Sequence, residues 1–297
     1  METVAYRGSS GLSILADEQG PKDGPVVLLL HGGGQNRLAW KGSGAALATR
    51  GYRVVALDAR GHGDSAWDPD ADYEMATMAA DLLCVMEQID AGRPAVVGAS
   101  LGGITALEAH HVTGFRDLFS AVVLVDITPH VELAGARRVV QFMSANPDGF
   151  ATLDEAAAAI AAYNPHRPPP SSSAGLAKVL RHGEDGRYRW HWDPRFIAGR
   201  AAVMMEDPAS WEAERAERGV RLHNSAGALV APLLLIRGLL SDLVSDDAVS
   251  ALRAAAPRAE YVDVRGAGHM VAGDDNDAFT DAVATFLGRH LPVGGAA

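Results

Sequence analysis

Cysteine and basic residues are both scarce in this sequence. A single cysteine, Cys84, stands among 297 residues and excludes an internal disulfide. The apolar helical pattern around it, from Met75 to Ile89, predicts a buried and unreactive thiol. Only 26 Lys and Arg oppose 37 Asp and Glu, so the formal net charge is -11. Nucleic acids and anionic membranes need a concentrated basic surface, and this charge argues against both as partners.

Long apolar runs and processing signals are also missing. No apolar run approaches the ~20 residues that span a bilayer, so we expect no membrane span. The first residues, Met1 to Val4, lack the basic start and apolar core of a secretion signal, which predicts a cytoplasmic location. Neither a His-Glu-x-x-His pattern nor paired cysteines occur, so we expect no metal and no cofactor.

Short apolar runs of strand length alternate with helical patterns along most of the chain. An edge hairpin and six buried strands are predicted at residues 3–7, 12–17, 26–30, 52–57, 95–99, 121–125, 233–237 and 261–264. This alternation is typical of an α/β fold with a mostly parallel, doubly wound sheet. In such sheets the ligand site lies at the carboxyl ends of the strands.

The alternation stops between residues 127 and 231. These 105 residues contain helical patterns but no convincing buried strand. A segment of that length is too long for a loop in a compact domain and should carry its own structure. We therefore expect residues 127–231 to form a helical cap inserted into a core made of residues 1–126 and 232–297.

A Gly-x-Ser-x-Gly pattern spans Gly98 to Gly102 and places Ser100 between a Val-rich strand and a helical segment. A serine at such a sharp turn points its hydroxyl out of the bend, and the flanking glycines avoid a collision. The pattern alone is common by chance in a glycine-rich chain, so the hypothesis depends on partner residues elsewhere.

Suitable partners follow other strands and should meet Ser100 at the same edge of the sheet. His269 follows the last predicted strand and is the candidate base. Asp242 follows the strand before it and is the candidate acid, which gives the chain order serine, acid, histidine. Asp126 also follows a strand directly and is the alternative acid.

With these motifs the sequence resembles the α/β-hydrolase superfamily, from His31-Gly32 to His269. Within it the chain is similar to the capped branch of cofactor-free haloperoxidase-like esterases, epoxide hydrolases and haloalkane dehalogenases. The resemblance implies that Ser100 attacks a carbonyl, His269 takes its proton, and the acid orients the histidine. It further implies an oxyanion hole formed by the backbone N–H groups of Gly33 and Leu101.

One residue departs from part of that branch. Epoxide hydrolases and haloalkane dehalogenases carry an aspartate at the nucleophile position, where this sequence has Ser100, so those two reactions are disfavoured. The predicted function is hydrolysis of a small, partly apolar carboxylic ester, lactone or thioester through an acyl-enzyme. Two alternatives stay open: hydrolysis of a carbon–carbon bond beside a ketone by the same triad, and a non-catalytic ligand receptor.

Overall fold

The fold is built on an eight-stranded β-sheet. The structure is a computed structural model, and it describes residues 1–165, 173–269 and 277–294. The strands are β1 (Glu2–Arg7), β2 (Ser13–Gln19), β3 (Val26–Leu30), β4 (Arg53–Leu57), β5 (Ala95–Ala99), β6 (Ala121–Val125), β9 (Leu233–Gly238) and β10 (Glu260–Val264). Their order across the sheet is β1-β2-β4-β3-β5-β6-β9-β10.

Six neighbouring strands, from β4 to β10, run parallel, while β2 joins β4 antiparallel and β1 forms the edge. Every residue of β3, β5 and β6 is buried. Their continuous runs of Val, Leu and Ala suit strands that are covered on both faces. The predicted hairpin and the predicted mostly parallel sheet are thereby confirmed.

Helices cover both faces of this sheet. The helices of the core are α1 (Lys41–Thr49), α2 (Met75–Ile89), α3 (Leu101–Val112), α8 (Asp246–Ala255) and α9 (Asp277–His290). Side chains of α2, α3 and α8 pack in one apolar cluster with Leu28 and Val96, whereas α1 and α9 pack in another with Leu29 and Val97. Successive residues of these strands therefore pack against helices on opposite faces of the sheet. Asn276, the predicted first residue of the last helix, lies outside the described residues.

The segment from 127 to 231 contributes no strand to the large sheet within the residues described. It contains α4 (Leu133–Ser144), α5 (Leu153–Tyr163), α6 (Arg195–Glu206), α7 (Pro208–Ala228) and a small antiparallel hairpin of β7 (Leu180–His182) and β8 (Tyr188–Trp190). Helix α7 packs on α3, and α6 packs on both α4 and α7. The hairpin is an addition to the predicted helices.

The fold brings the carboxyl ends of β3, β5, β6, β9 and β10 to one edge of the sheet, because these strands are parallel and adjacent. The loops that follow them carry His31, Ser100, Asp126, Asp242 and His269. None of the helices in the described ranges combines the length and the hydrophobicity that a membrane-spanning helix needs.

Candidate active site

Ser100 lies between β5 and α3 in a strained backbone conformation, with φ 44° and ψ -108°. A positive φ is uncommon for a residue with a side chain and here marks the sharp turn expected from the motif. The two flanking glycines have no room for a Cβ. At Gly98 it would lie 2.5 Å from the backbone N of Gly103, and at Gly102 it would lie 2.3 Å from the Leu30 carbonyl oxygen.

The imidazole of His269 lies between Ser100 and an aspartate. Its Nε2 is 3.2 Å from Ser100 Oγ, and its Nδ1 is 2.8 Å from Asp126 Oδ2. The three side chains come from the loops after β10, β5 and β6. This is the hydrogen-bond chain of a serine, a histidine and an acid that can move the serine proton to the ring.

Asp126 is fully buried, and within the described residues its carboxylate accepts three hydrogen bonds. Its Oδ1 accepts from the backbone N–H of Gly238 at 3.0 Å, and its Oδ2 accepts from the Ser241 hydroxyl at 2.5 Å as well as facing His269. A φ of 49° turns the residue at the end of β6. Gly238 ends the neighbouring strand β9 and Ser241 lies in the turn after it, and these two donors fix the carboxylate toward the histidine.

Asp242, the first choice of acid from the sequence, does not reach His269. Its side chain is 36% exposed and pairs with Arg138 of α4, with Arg138 Nη1 2.7 Å from Asp242 Oδ2. The expectation that Asp242 lies beside the histidine is therefore wrong, and the alternative residue Asp126 takes that place. The cause is geometric: Ser241 turns its hydroxyl to Asp126, whereas the Asp242 side chain turns outward to α4.

Gly33 and Leu101, the two expected oxyanion donors, line the same cavity as Ser100 and His269. Leu101 is the first residue of α3, where backbone N–H groups lack intrahelical partners and the helix dipole favours negative charge. In the part of the chain that the structure describes, neither backbone N–H donates to another protein group. Both donors are therefore available to an anion forming near Ser100.

The glycine turn after β3 is held by His31. Its Nδ1 donates to the Gly32 carbonyl oxygen at 2.7 Å, and its Nε2 accepts from the Ala59 backbone N–H at 3.0 Å. The ring is buried, which lowers its pKa, so it stays in the neutral form that both bonds require. Gln35 closes the turn from the other side, because its Oε1 accepts from the Gly32 N–H at 2.9 Å.

A cavity of about 180 Å³ opens beside Ser100 and His269. Its wall is formed largely by apolar side chains of α3, α4, α6 and the segment before α6, among them Ile104, Val140, Phe142, Met143, Trp192 and Ile197. Such a wall suits an apolar part of a ligand. Three arginines, Arg200, Arg215 and Arg218, line the same cavity.

Cys84 stands apart from this cavity, on α2. It is partly exposed rather than fully buried as expected from the sequence. Burial nevertheless raises the pKa of its thiol, and the nearby Glu87 and Asp81 add to this effect. A raised pKa lowers the thiolate fraction, which fits an unreactive cysteine.

Comparison with known proteins matches residues 25–275 to a family model described as the alpha/beta hydrolase fold. The chain is 30% identical over 266 residues to the esterase Rv0045c of Mycobacterium tuberculosis, covering 87% of this chain and 81% of that protein. A solved structure of that esterase superposes with a TM-score of 0.70, at 27% identity, over 96% of this chain and 91% of that one.

Two further proteins extend the comparison. A probable protein phosphatase methylesterase 1 of Caenorhabditis elegans is 27% identical over 175 residues, or 58% of this chain and 48% of that protein. The present chain thus aligns with about half the length of that relative. An alpha/beta hydrolase of Novosphingobium aromaticivorans has a TM-score of 0.76 over 97% of this chain and 98% of that one. Its 24% identity supports a shared fold alone.

Proposed function

The chain belongs to the α/β-hydrolase fold family, and from this premise we propose that it hydrolyses a carboxylic ester through an acyl-enzyme on Ser100. One observation carries the proposal. The His269 ring joins Ser100 Oγ, at 3.2 Å, to the buried carboxylate of Asp126, at 2.8 Å. The similarity to a named esterase over most of both chains supports an ester as the substrate class.

In the first half of the reaction, Ser100 Oγ attacks the ester carbonyl while His269 Nε2 takes its proton. The carboxylate of Asp126 accepts a hydrogen bond from His269 Nδ1–H and stabilises the imidazolium that forms, because it faces the ring and is buried. The backbone N–H groups of Gly33 and Leu101 stabilise the oxyanion. The loss of one such donor costs about 3 kcal/mol of transition-state stabilisation in known enzymes. His269 then protonates the leaving alcohol.

In the second half, a water takes the place of the alcohol. His269 accepts a proton from this water, which attacks the acyl carbonyl, and the oxyanion returns to the same two donors. As the second tetrahedral intermediate collapses, the bond between the acyl carbon and Ser100 Oγ breaks, His269 returns its proton to that oxygen, and a carboxylic acid is released. The products are one acid and one alcohol, and no cofactor takes part in these steps.

The cavity wall supports an ester with an apolar portion. Side chains of α4 and α6, such as Val140 and Ile197, supply much of that wall. We therefore propose that residues 127–231 act as a cap on a core of residues 1–126 and 232–297, and that the cap selects the substrate. The cytoplasmic location stays a prediction.

The test is hydrolysis of p-nitrophenyl esters of two to twelve carbons by the purified protein and by Ser100→Ala. We expect chain-length-dependent turnover in the parent and a loss of at least about 10³-fold in kcat for the variant, because the nucleophile is gone. A fluorophosphonate should label the parent and leave Ser100→Ala unlabelled.

Two results would contradict the proposal. Equal hydrolysis by the parent and Ser100→Ala would show that another group performs the reaction. An absence of both turnover and fluorophosphonate labelling in a folded protein would favour the receptor alternative. Product analysis separates the remaining case, since a carbon–carbon bond hydrolase would release an acid and a ketone in place of an acid and an alcohol.

A further inference from the structure

Three arginines share the cavity with the Ser100 hydroxyl. Arg200 lies on α6, and Arg215 and Arg218 lie one turn apart on α7. None of them takes part in the proposed acyl transfer. Most of the remaining wall is apolar, so a cluster of three like charges there needs a physical reason.

The carboxylates of Glu74, Glu108 and Glu214 act on the cluster from nearby, but among the described residues only Glu214 forms an ion pair with one of its members. Arg218 pairs with Glu214, whose carboxylate lies 3.4 Å from Arg218 Nη1 and is 63% exposed. Arg200 donates to the Tyr73 carbonyl oxygen at 2.9 Å, which is a neutral acceptor. In the described ranges, Arg200 and Arg215 form no ion pair, and the buried Arg215 Nε has no hydrogen-bond partner.

Aromatic rings hold two of the guanidinium groups in place. Arg215 lies over the ring of Trp211 at 4.9 Å, and Arg200 lies over the ring of Phe196 at 4.8 Å. Stacking on a ring restricts the guanidinium plane while it leaves the N–H edges free to donate. Burial lowers the pKa of Arg215 to about 10; the neighbouring charges of Arg218 and Arg200 add to this effect, and Glu214 opposes it in part.

A planar carboxylate matches these donors. Guanidinium groups bind carboxylates with two parallel hydrogen bonds, and such charge-assisted bonds are strong when water is largely excluded. We propose that Arg200, Arg215 and Arg218 bind a carboxylate on the substrate, so that the enzyme acts on monoesters of dicarboxylic acids or on similar carboxylate-bearing esters. This inference rests on the proposed ester hydrolysis and narrows its substrate class.

The kinetic test compares p-nitrophenyl monoesters of four- to eight-carbon dicarboxylic acids with p-nitrophenyl esters of monocarboxylic acids of equal length. At the best length we expect the parent to favour the charged ester by about tenfold or more in kcat/KM. Arg215→Gln and Arg218→Gln should each lower the ratio of kcat/KM for the charged ester to kcat/KM for the neutral ester by about 10- to 100-fold.

Arg221→Gln is the matched control. Arg221 lies on the same helix three residues beyond Arg218, but it is 43% exposed and faces Glu108, with its Nε 3.8 Å from Glu108 Oε1. It does not line the cavity. We expect this variant to keep the preference of the parent, which separates a local effect from a general loss of positive charge.

A binding measurement makes the inference independent of turnover. Titration calorimetry should detect binding of a dicarboxylate of the preferred length, weaker binding of the monocarboxylate, and loss of the difference in Arg215→Gln.

If esters are hydrolysed without a preference for charge and the dicarboxylate does not bind, the inference is overturned and the proposed function stands. If the dicarboxylate binds through the arginines but no ester is cleaved, the inference stands and the proposed function fails. Tighter binding of an alkyl phosphate than of any dicarboxylate would overturn the assignment of a carboxylate.

Discussion

A single carboxylate, Asp126, receives hydrogen bonds from the Gly238 N–H, the Ser241 hydroxyl and the His269 ring. Each bond restricts the carboxylate further, and burial at 0% exposure keeps water from competing. A histidine next to such a group is held in the tautomer that leaves Nε2 free to accept a proton. The exposed ion pair of Asp242 with Arg138 offers none of this preorganisation.

This difference gives a paired prediction. Asp126→Asn keeps the size of the side chain but removes its charge, so we expect kcat for a p-nitrophenyl ester to fall by about 10³- to 10⁴-fold. Asp242→Asn should change it by less than about threefold, because it removes only a surface ion pair. Steady-state kinetics measure kcat for both variants, and circular dichroism confirms that each variant is folded. A larger loss in Asp242→Asn than in Asp126→Asn would contradict the assignment.

The sequence pointed to both aspartates, and no pattern in it could choose between them. Strands β6 and β9 are neighbours in the sheet, so the residues that follow them reach the same edge. The deciding features are the turn of the Asp126 backbone, at φ 49°, and the direction of the Gly238 N–H. Both are backbone orientations, which depend on the assembled sheet. For Ser100 and His269 the sequence offered no comparable alternative. The flanking glycines single out one serine, and the loop after the last strand contains one histidine.

At the junction of β5 and α3, the two elbow glycines leave no room for a side chain. Helix α3 begins directly after Ser100 and passes so close to β3 that Gly102 donates its N–H to the His31 carbonyl oxygen at 3.1 Å. A side chain at Gly102 would force α3 away from the sheet. The position of the nucleophile and of the Leu101 N–H both depend on this close approach.

We therefore expect Gly102→Ala to destabilise the fold. The new Cβ would lie 2.3 Å from the Leu30 carbonyl oxygen, a backbone atom that cannot move alone, and the cost should be about 3 kcal/mol or more. Gly199→Ala is the control. Gly199 lies inside α6 with no atom near its missing Cβ, and alanine there should stabilise the fold by about 0.5–1 kcal/mol. Thermal and urea unfolding measure both changes, and equal stability of the two variants would contradict the close approach.

Strands β3, β4, β5, β6 and β9 were predictable because each is a largely continuous apolar run bounded by turn residues. The hairpin of β7 and β8 was not. Each strand has three residues, and Arg181, Arg187 and Arg189 place charge in and beside them. Its stability comes from contacts that the local sequence does not reveal, such as the stack of Trp190 on Trp192 at 4.8 Å and the edge contact of Trp190 with Phe150 at 5.2 Å.

On the scale of the whole molecule, the core contains several histidines that are held neutral. Burial lowers the pKa of His31, His62 and His110. Each of these rings is surrounded by protein in the folded state and by water in the unfolded state. Acid should therefore destabilise the fold through the sum of these groups, with the unfolded chain taking up the protons that the folded chain excludes.

His62 is the clearest case and allows a quantitative prediction. Its Nδ1 donates to the Arg60 carbonyl oxygen at 3.0 Å, its ring meets the edge of Phe196 at 4.7 Å, and its buried Nε2 has no partner among the described residues. Burial lowers its pKa to about 3, against 6.5 for the free side chain. Below about pH 6.5 the unfolded state binds a proton at His62 that the folded state does not bind. The free energy of unfolding therefore decreases as the pH falls toward 3. At pH 5 this one group should cost about 2 kcal/mol.

The variant His62→Gln removes the titrating group while keeping an N–H that can donate to the Arg60 carbonyl oxygen. We expect its free energy of unfolding to change less between pH 7.5 and pH 5 than that of the parent, by about 2 kcal/mol, whatever its stability at pH 7.5. Urea unfolding at several pH values measures the slope for each protein. His182→Gln, at an exposed position in β7, should keep the slope of the parent, since that side chain meets water in both states. If His62→Gln and His182→Gln had the same slope, His62 would have to be protonated in the folded protein, against its buried and unpaired Nε2.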